Sequence, residues 1–126
     1  MERIFLIKYV LAGANRRAGH LPMLAKDSNR EIRRRVAEND CCTQDLLSVL
    51  SNDNDAEVRT AVGLNTHTRI ETLMMLSHDP NPDVRFMLAS ASYVPKKVLN
   101  DLCLDDNPYV QMRACETLSK LAMGKK

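Results

Sequence analysis

The apolar positions of residues 43–65, TQDLLSVLSNDNDAEVRTAVGLN, fall on two short stripes with a polar turn between them. Leu46, Leu47 and Leu50 are spaced for one face of a short helix, and Thr43 followed by Asp45 marks its start. Ser51-Asn52-Asp53-Asn54 reads as a turn. Asp55 then reads as the N-cap of a second helix whose buried face carries Val58, Ala61 and Val62. No strand pattern competes. Strict alternation never persists for a strand's length, and aromatic residues make up only 4% of the chain.

The same pattern recurs every 26 residues. Asp27, Asp53, Asp79 and Asp105 mark the register, each preceded by a leucine pair: Leu21/Leu24, Leu47/Leu50, Leu73/Leu76 and Leu99/Leu102. Ile32, Val58, Val84 and Val110 follow in one column, and Arg33, Arg59 and Arg85 in the next, where the last copy has Gln111. The N-cap column is Asn29, Asp55, Asn81 and Asn107, with Pro82 and Pro108 at the first helical position of the last two copies. Acids follow at Glu31, Glu57 and Asp83, where they suit the positive end of the helix dipole. Gly13, Asn39 and Asn65 share a stop position, and such residues tolerate a left-handed conformation after a helix. Ala91 and Thr117 replace them later, so a longer final helix is predicted over about 108–123. Ala37, Gly63, Ala89 and Cys115 form a column of small residues that lets neighbouring helices approach closely.

A fixed period of this length predicts an all-α solenoid of 26-residue two-helix repeats. The expected organisation is a single domain over 1–126: a helix at 4–12, then repeats at about 17–39, 43–65, 69–91 and 95–123. The helix at 4–12 reads as the second helix of a truncated first repeat, with Leu6 and Val10 aligned to Ile32 and Val36. Equal stacked units make a long surface, and such surfaces bind partners.

These residues resemble the leucine-rich repeat variant family, within the HEAT-like α-solenoids. The strings that carry the resemblance are Ile32-Arg33-Arg34-Arg35-Val36-Ala37-Glu38-Asn39 and Leu76-Ser77-His78-Asp79-Pro80-Asn81-Pro82-Asp83-Val84-Arg85, within a match over about residues 18–116. The resemblance implies a right-handed superhelix in which short, partly 3₁₀ helices alternate with α-helices. Some members carry an iron–sulfur cluster on an N-terminal cysteine cluster. This chain has no cysteine before Cys41, and no cofactor is expected. HEAT-like relatives mostly scaffold proteins, and some grip nucleic acid through basic faces.

Composition adds little direction. Apolar residues are 44% and charged residues 27% of the 126, with a formal net charge of +2. The apolar stretch Ile4-Phe5-Leu6-Ile7 is broken by Lys8, far short of a membrane span, and no secretory pattern accompanies it. The expected location is cytoplasmic, with no membrane association. Cys41, Cys42, Cys103 and Cys115 form no Cys-x-x-Cys pair and read as reduced thiols.

Charge is uneven along the chain. Residues 1–39 carry nine lysines and arginines against four acids, a net of +5, whereas residues 40–126 carry a net of −3. Arg16, Arg17, Arg30, Arg33, Arg34 and Arg35 form the candidate partner-binding cluster, for an acidic protein surface or for phosphate. No aromatic residues interleave these arginines as single-strand stacking would want. The columns Asp27, Asp53, Asp79, Asp105 and Arg33, Arg59, Arg85 read instead as a structural ladder, because a guanidinium can fork onto a carboxylate and also reach free carbonyls.

No catalytic or metal-binding constellation is expected. Cys41 and His67 share a column, but Tyr93 follows them and two ligands do not make a tetrahedral site. Ser77-His78-Asp79 is consecutive, so its side chains are expected to diverge rather than form Ser–His and His–Asp hydrogen bonds. Met23, Met74, Met75, Met87 and Met112 read as core packing or as an adaptable binding face. The expected function is non-enzymatic: a repeat scaffold that binds a protein partner through its concave face or its basic N-terminal end, with nucleic-acid binding by the arginine cluster as the alternative. The oligomeric state is left open.

Overall fold

The computed structural model describes residues 2–14 and 18–124. Secondary structure among these residues is helical throughout, with no strand. In chain order the helices are α1 (Glu2–Gly13), α2 (Leu21–Leu24), α3 (Arg30–Glu38), α4 (Gln44–Leu50), α5 (Ala56–Leu64), α6 (Ile70–Leu76), α7 (Pro82–Ala89), α8 (Lys96–Leu102) and α9 (Pro108–Met123). A 3₁₀ turn, Ala18–His20, leads into α2. Packing divides the chain into two compact units, Met1–Thr68 and Arg69–Lys126.

In the first unit α3 packs against both α1 and α5, while the short helices α2 and α4 lie against α3 and α5. Its core is aliphatic: Leu21, Leu24, Ile32, Val36, Ala37, Leu47, Leu50, Val58 and Val62 are all buried. In the second unit α9 packs on α7 and α8, and α7 also meets α6. Leu73, Leu76, Val84, Leu88, Val98, Leu99, Leu102, Val110 and Ala114 fill that core. In both units the leucine pairs and the β-branched column are the residues removed from water, which is the main stabilising term for helices this short.

The longer helices start where local polar chemistry sets them. Asn29 Oδ1 accepts from the N–H of Glu31 at 2.8 Å, Asp55 from Glu57 at 2.9 Å, Asn81 from Asp83 at 2.8 Å and Asn107 from Tyr109 at 2.9 Å. Each bond satisfies an amide that the helix itself leaves unpaired. The register aspartates add a second turn just before: Oδ1 of Asp27, Asp53, Asp79 and Asp105 accepts from the N–H two residues on, at 2.8 to 2.9 Å. Thr43 caps α4 by accepting from the Leu46 N–H at 3.2 Å.

The helix stops differ from the left-handed expectation. Asn39 and Asn65 are extended, with φ of −73° and −77°, and no residue among those described, Gly13 included, has a positive φ. The asparagines act through their side chains. Asn39 Nδ2 donates to the carbonyls of Ala12 and Ala14 at 2.6 and 3.0 Å, and Asn65 Nδ2 to those of Ala37 and Asn39 at 2.9 and 3.2 Å. Their Oδ1 atoms accept from the N–H of Cys41 and of His67 at 2.7 and 2.9 Å. A buried asparagine therefore closes the preceding helix's end and starts its own loop. In the second unit Thr117 takes over part of this work, its Oγ1 donating to the Ala89 carbonyl at 2.5 Å. Gly13 serves space rather than conformation: a Cβ there would run into the Arg35 guanidinium.

Candidate interaction surface

The Asp and Arg columns meet within each unit. Arg33 Nε donates to Asp53 Oδ2 at 2.8 Å and Nη2 to Asp53 Oδ1 at 3.2 Å, a forked pair. Its Nη1 turns back to the carbonyl of Asp27 at 2.8 Å. Arg85 repeats the geometry: 2.8 and 3.2 Å to Asp105, and 2.6 Å to the Asp79 carbonyl. Arg59 Nη1 reaches the Asp53 carbonyl at 2.8 Å. Lys8 makes a simpler version from α1, donating to Asp27 Oδ2 at 2.6 Å. The Lys8 hydrogen bond, assisted by the Asn29 amide, holds the Asp27 carboxyl below its usual range. The Asp53 hydrogen bonds push the Arg33 guanidinium further up.

The arginine cluster is brought together only in part, and its described members are engaged. Arg16 and Arg17 lie outside the described residues. Arg30 reaches Asp55 at 3.3 Å. Arg34 sits among Glu31, Glu38 and Glu57 at 2.9, 3.2 and 3.7 Å. Arg35 lies over the Tyr9 ring, 4.9 Å from its centroid, and close to Glu38. Arg113, its register equivalent, lies 5.1 Å from the Phe86 centroid. These ring contacts explain why a charge replaces the core-like Ala61 and Met87 of that column: the guanidinium stem fills space and its face meets a π-system. The aromatic partners, 26 and 27 residues away, gave no local signal.

Two other expectations meet the structure differently. Ser77 Oγ does lie 3.0 Å from His78 Nδ1, although consecutive residues were expected to diverge. Both atoms share the Met74 carbonyl, at 2.6 and 3.2 Å, as a helix-end cap, and the Asp79 carboxylate accepts from Asn81. Met23, Met75 and Met112 are exposed rather than core. Burial pushes the Cys42 thiol up to about 11, which makes it inert as a nucleophile. No group of three or more potential metal ligands occurs among the described residues, and no described helix is long and apolar enough to cross a membrane.

The feature that sequence reasoning missed is the outer face of α1. Leu6 and Val10 are 58% and 64% exposed, and Ile4 and Ile7 are each 60% exposed beside them. Their register equivalents Ile32 and Val36 are both at 0%. The leucine-pair helices of this unit, α2 and α4, both lie against α3, whereas α1 packs with α2. The signal was present in the sequence as aliphatics at 4, 6, 7 and 10, a cluster wider than one buried stripe needs.

No family model, curated protein or solved structure matches the chain.

Proposed function

We propose that the chain is a right-handed α-solenoid of 26-residue repeats, a non-enzymatic scaffold that binds a protein partner at its basic N-terminal end. The exposed aliphatic face of α1 carries this reading. Four large aliphatics about 60% exposed on one helix are a costly thing to leave in water. The register also says what fits there. α3 and α5 each pack with short helices whose buried leucines stand three residues apart, and their positions in register with Leu6 and Val10 are buried. The occupant is therefore a partner helix with the same leucine spacing. Its flanks are acidic, to complement exposed Arg3 and the +5 charge of residues 1–39. The period itself and the forked Arg–Asp bonds at the same spacing in each unit support the solenoid.

The test is an NMR titration with a helical peptide bearing two leucines three residues apart between glutamates. Amide shifts confined to residues 3–13, lost in Leu6→Asp/Val10→Asp, support the reading. Absence of shifts overturns it. A single-stranded oligonucleotide that binds instead, with affinity falling steeply as salt rises, would assign the surface to nucleic acid.

A further inference from the structure

The last copy of the 26-residue pattern departs from the others at two columns that the fold brings together. Cys103 stands in register with Ala25, Ser51 and Ser77, at the C-cap of a short helix. Cys115 stands in register with Ala37, Gly63 and Ala89, the small column of the longer helix. In the earlier copies these columns hold only methyls, hydroxyls or hydrogen, and Ser51 and Ser77 spend their hydroxyls on the carbonyls of Ser48 and Met74. Only the last copy puts sulfur at both. There, with α8 packed on α9, the two free thiols lie Sγ to Sγ at 2.9 Å. Closure to a disulfide bond of about 2.05 Å requires the sulfurs to approach by about 0.9 Å. Cys115 is exposed and Cys103 half-buried, so one thiol meets solvent and the other waits behind it.

We propose that Cys103 and Cys115 form an oxidative modification site, a dithiol that takes a hydroperoxide as its oxidant and closes into an intramolecular disulfide. The Cys115 sulfur, as thiolate, attacks the terminal peroxide oxygen. The O–O bond breaks, Cys115 becomes a sulfenic acid, and the alkoxide leaves and takes up a proton as the alcohol. The Cys103 sulfur then attacks the Cys115 sulfur. The S–O bond breaks, and hydroxide leaves with the Cys103 proton as water. In sum two thiols and one hydroperoxide give one disulfide, one alcohol and one water. Burial, with the neighbouring Cys115 thiol adding to it, pushes Cys103 up to about 11. This suits it to resolving rather than to first attack. The product ties the end of α8 to the middle of α9, and a small thiol reverses it by exchange.

Hydrogen peroxide, added to the full chain, is the probe. Trypsin cleaves after Lys97, Arg113 and Lys120, so the two cysteines fall on separate peptides. The expected product is one cross-linked pair, Val98–Arg113 to Ala114–Lys120, in monomeric protein. Its melting temperature rises above that of the reduced form and returns after dithiothreitol. Cys103→Ser should leave Cys115 as a sulfenic acid that dimedone captures. Over-oxidation of Cys115 without the cross-link overturns the proposal. So does a cross-link to Cys41 or Cys42, or one between molecules. The wild-type peptide map decides the matter even where a variant folds poorly.

Discussion

Asn65 donates from its side-chain amide to the carbonyl oxygen of Ala37 at 2.9 Å, across 28 positions of sequence and out of contact with solvent. The same side chain holds the Asn39 carbonyl and the His67 amide. Asn65→Ala would strand three backbone groups. Loss of about 2–3 kcal/mol is expected, since a buried polar group without a partner costs about 1–3 kcal/mol and the site relaxes in part. Urea unfolding measures it. Asn65→Asp should be worse at neutral pH, because its carboxylate would face carbonyl oxygens, and part of that loss should return on acidification.

Arg33 and Asp53 call for a different experiment. The fork onto the carboxylate and the third bond to the Asp27 carbonyl require a planar guanidinium. Arg33→Lys should therefore cost nearly as much as Arg33→Ala, on the order of 1.5–3 kcal/mol, the range for hydrogen bonds to charged groups. A lysine that restores full stability would reduce the pair to simple charge attraction. Arg85→Lys, with the same partners one copy on, should behave alike.

Lys8 and Asp27 give a pH signature. Asp27 titrates below its usual 3.8 when folded, chiefly through the Lys8 hydrogen bond. A depressed carboxyl contributes stability that is fully present above the unfolded value and is lost as pH falls through the folded one. Lys8→Met should bring the Asp27 titration, followed by carboxyl-carbon NMR, back up toward 3.8. The variant should lose less stability than wild type between pH 5 and pH 2, a range chosen about that value.

The α1 face predicts a contrast between aligned positions. Leu6→Ser and Val10→Ser change residues more than half exposed and should alter stability by no more than about 0.5 kcal/mol. Ile32→Ser, at a fully buried site, should cost at least about 3 kcal/mol, since large-to-small changes there cost about 2–5 kcal/mol before a hydroxyl is buried. Equal effects at the two sites would mean that α1 is covered in solution.

Helix starts were legible in the sequence because capping is local. Asn29 bonds an amide two residues away, so residue type and position suffice. The apolar columns were legible for the same reason, since helical spacing selects one face. The asparagine stops were misread because their partners lie 25–28 residues back, where no local rule points. Arg35 looked like a free charge because its aromatic partner sits on another helix. Cys103 and Cys115 looked unrelated because motif spacing counts along the chain, whereas the two sulfurs meet where α8 and α9 pack.

The placement of the arginine bonds bears on how such a chain grows. Arg33 and Arg85 each find one partner six residues back and another twenty ahead. Duplication or excision of a whole 26-residue block leaves both offsets intact, so length can change by recombination with every such group still matched. A one-residue insertion between Asp27 and Arg33 would spoil the first offset, and one between Arg33 and Asp53 the second. Length changes in this protein should therefore be tolerated as whole modules better than as single insertions.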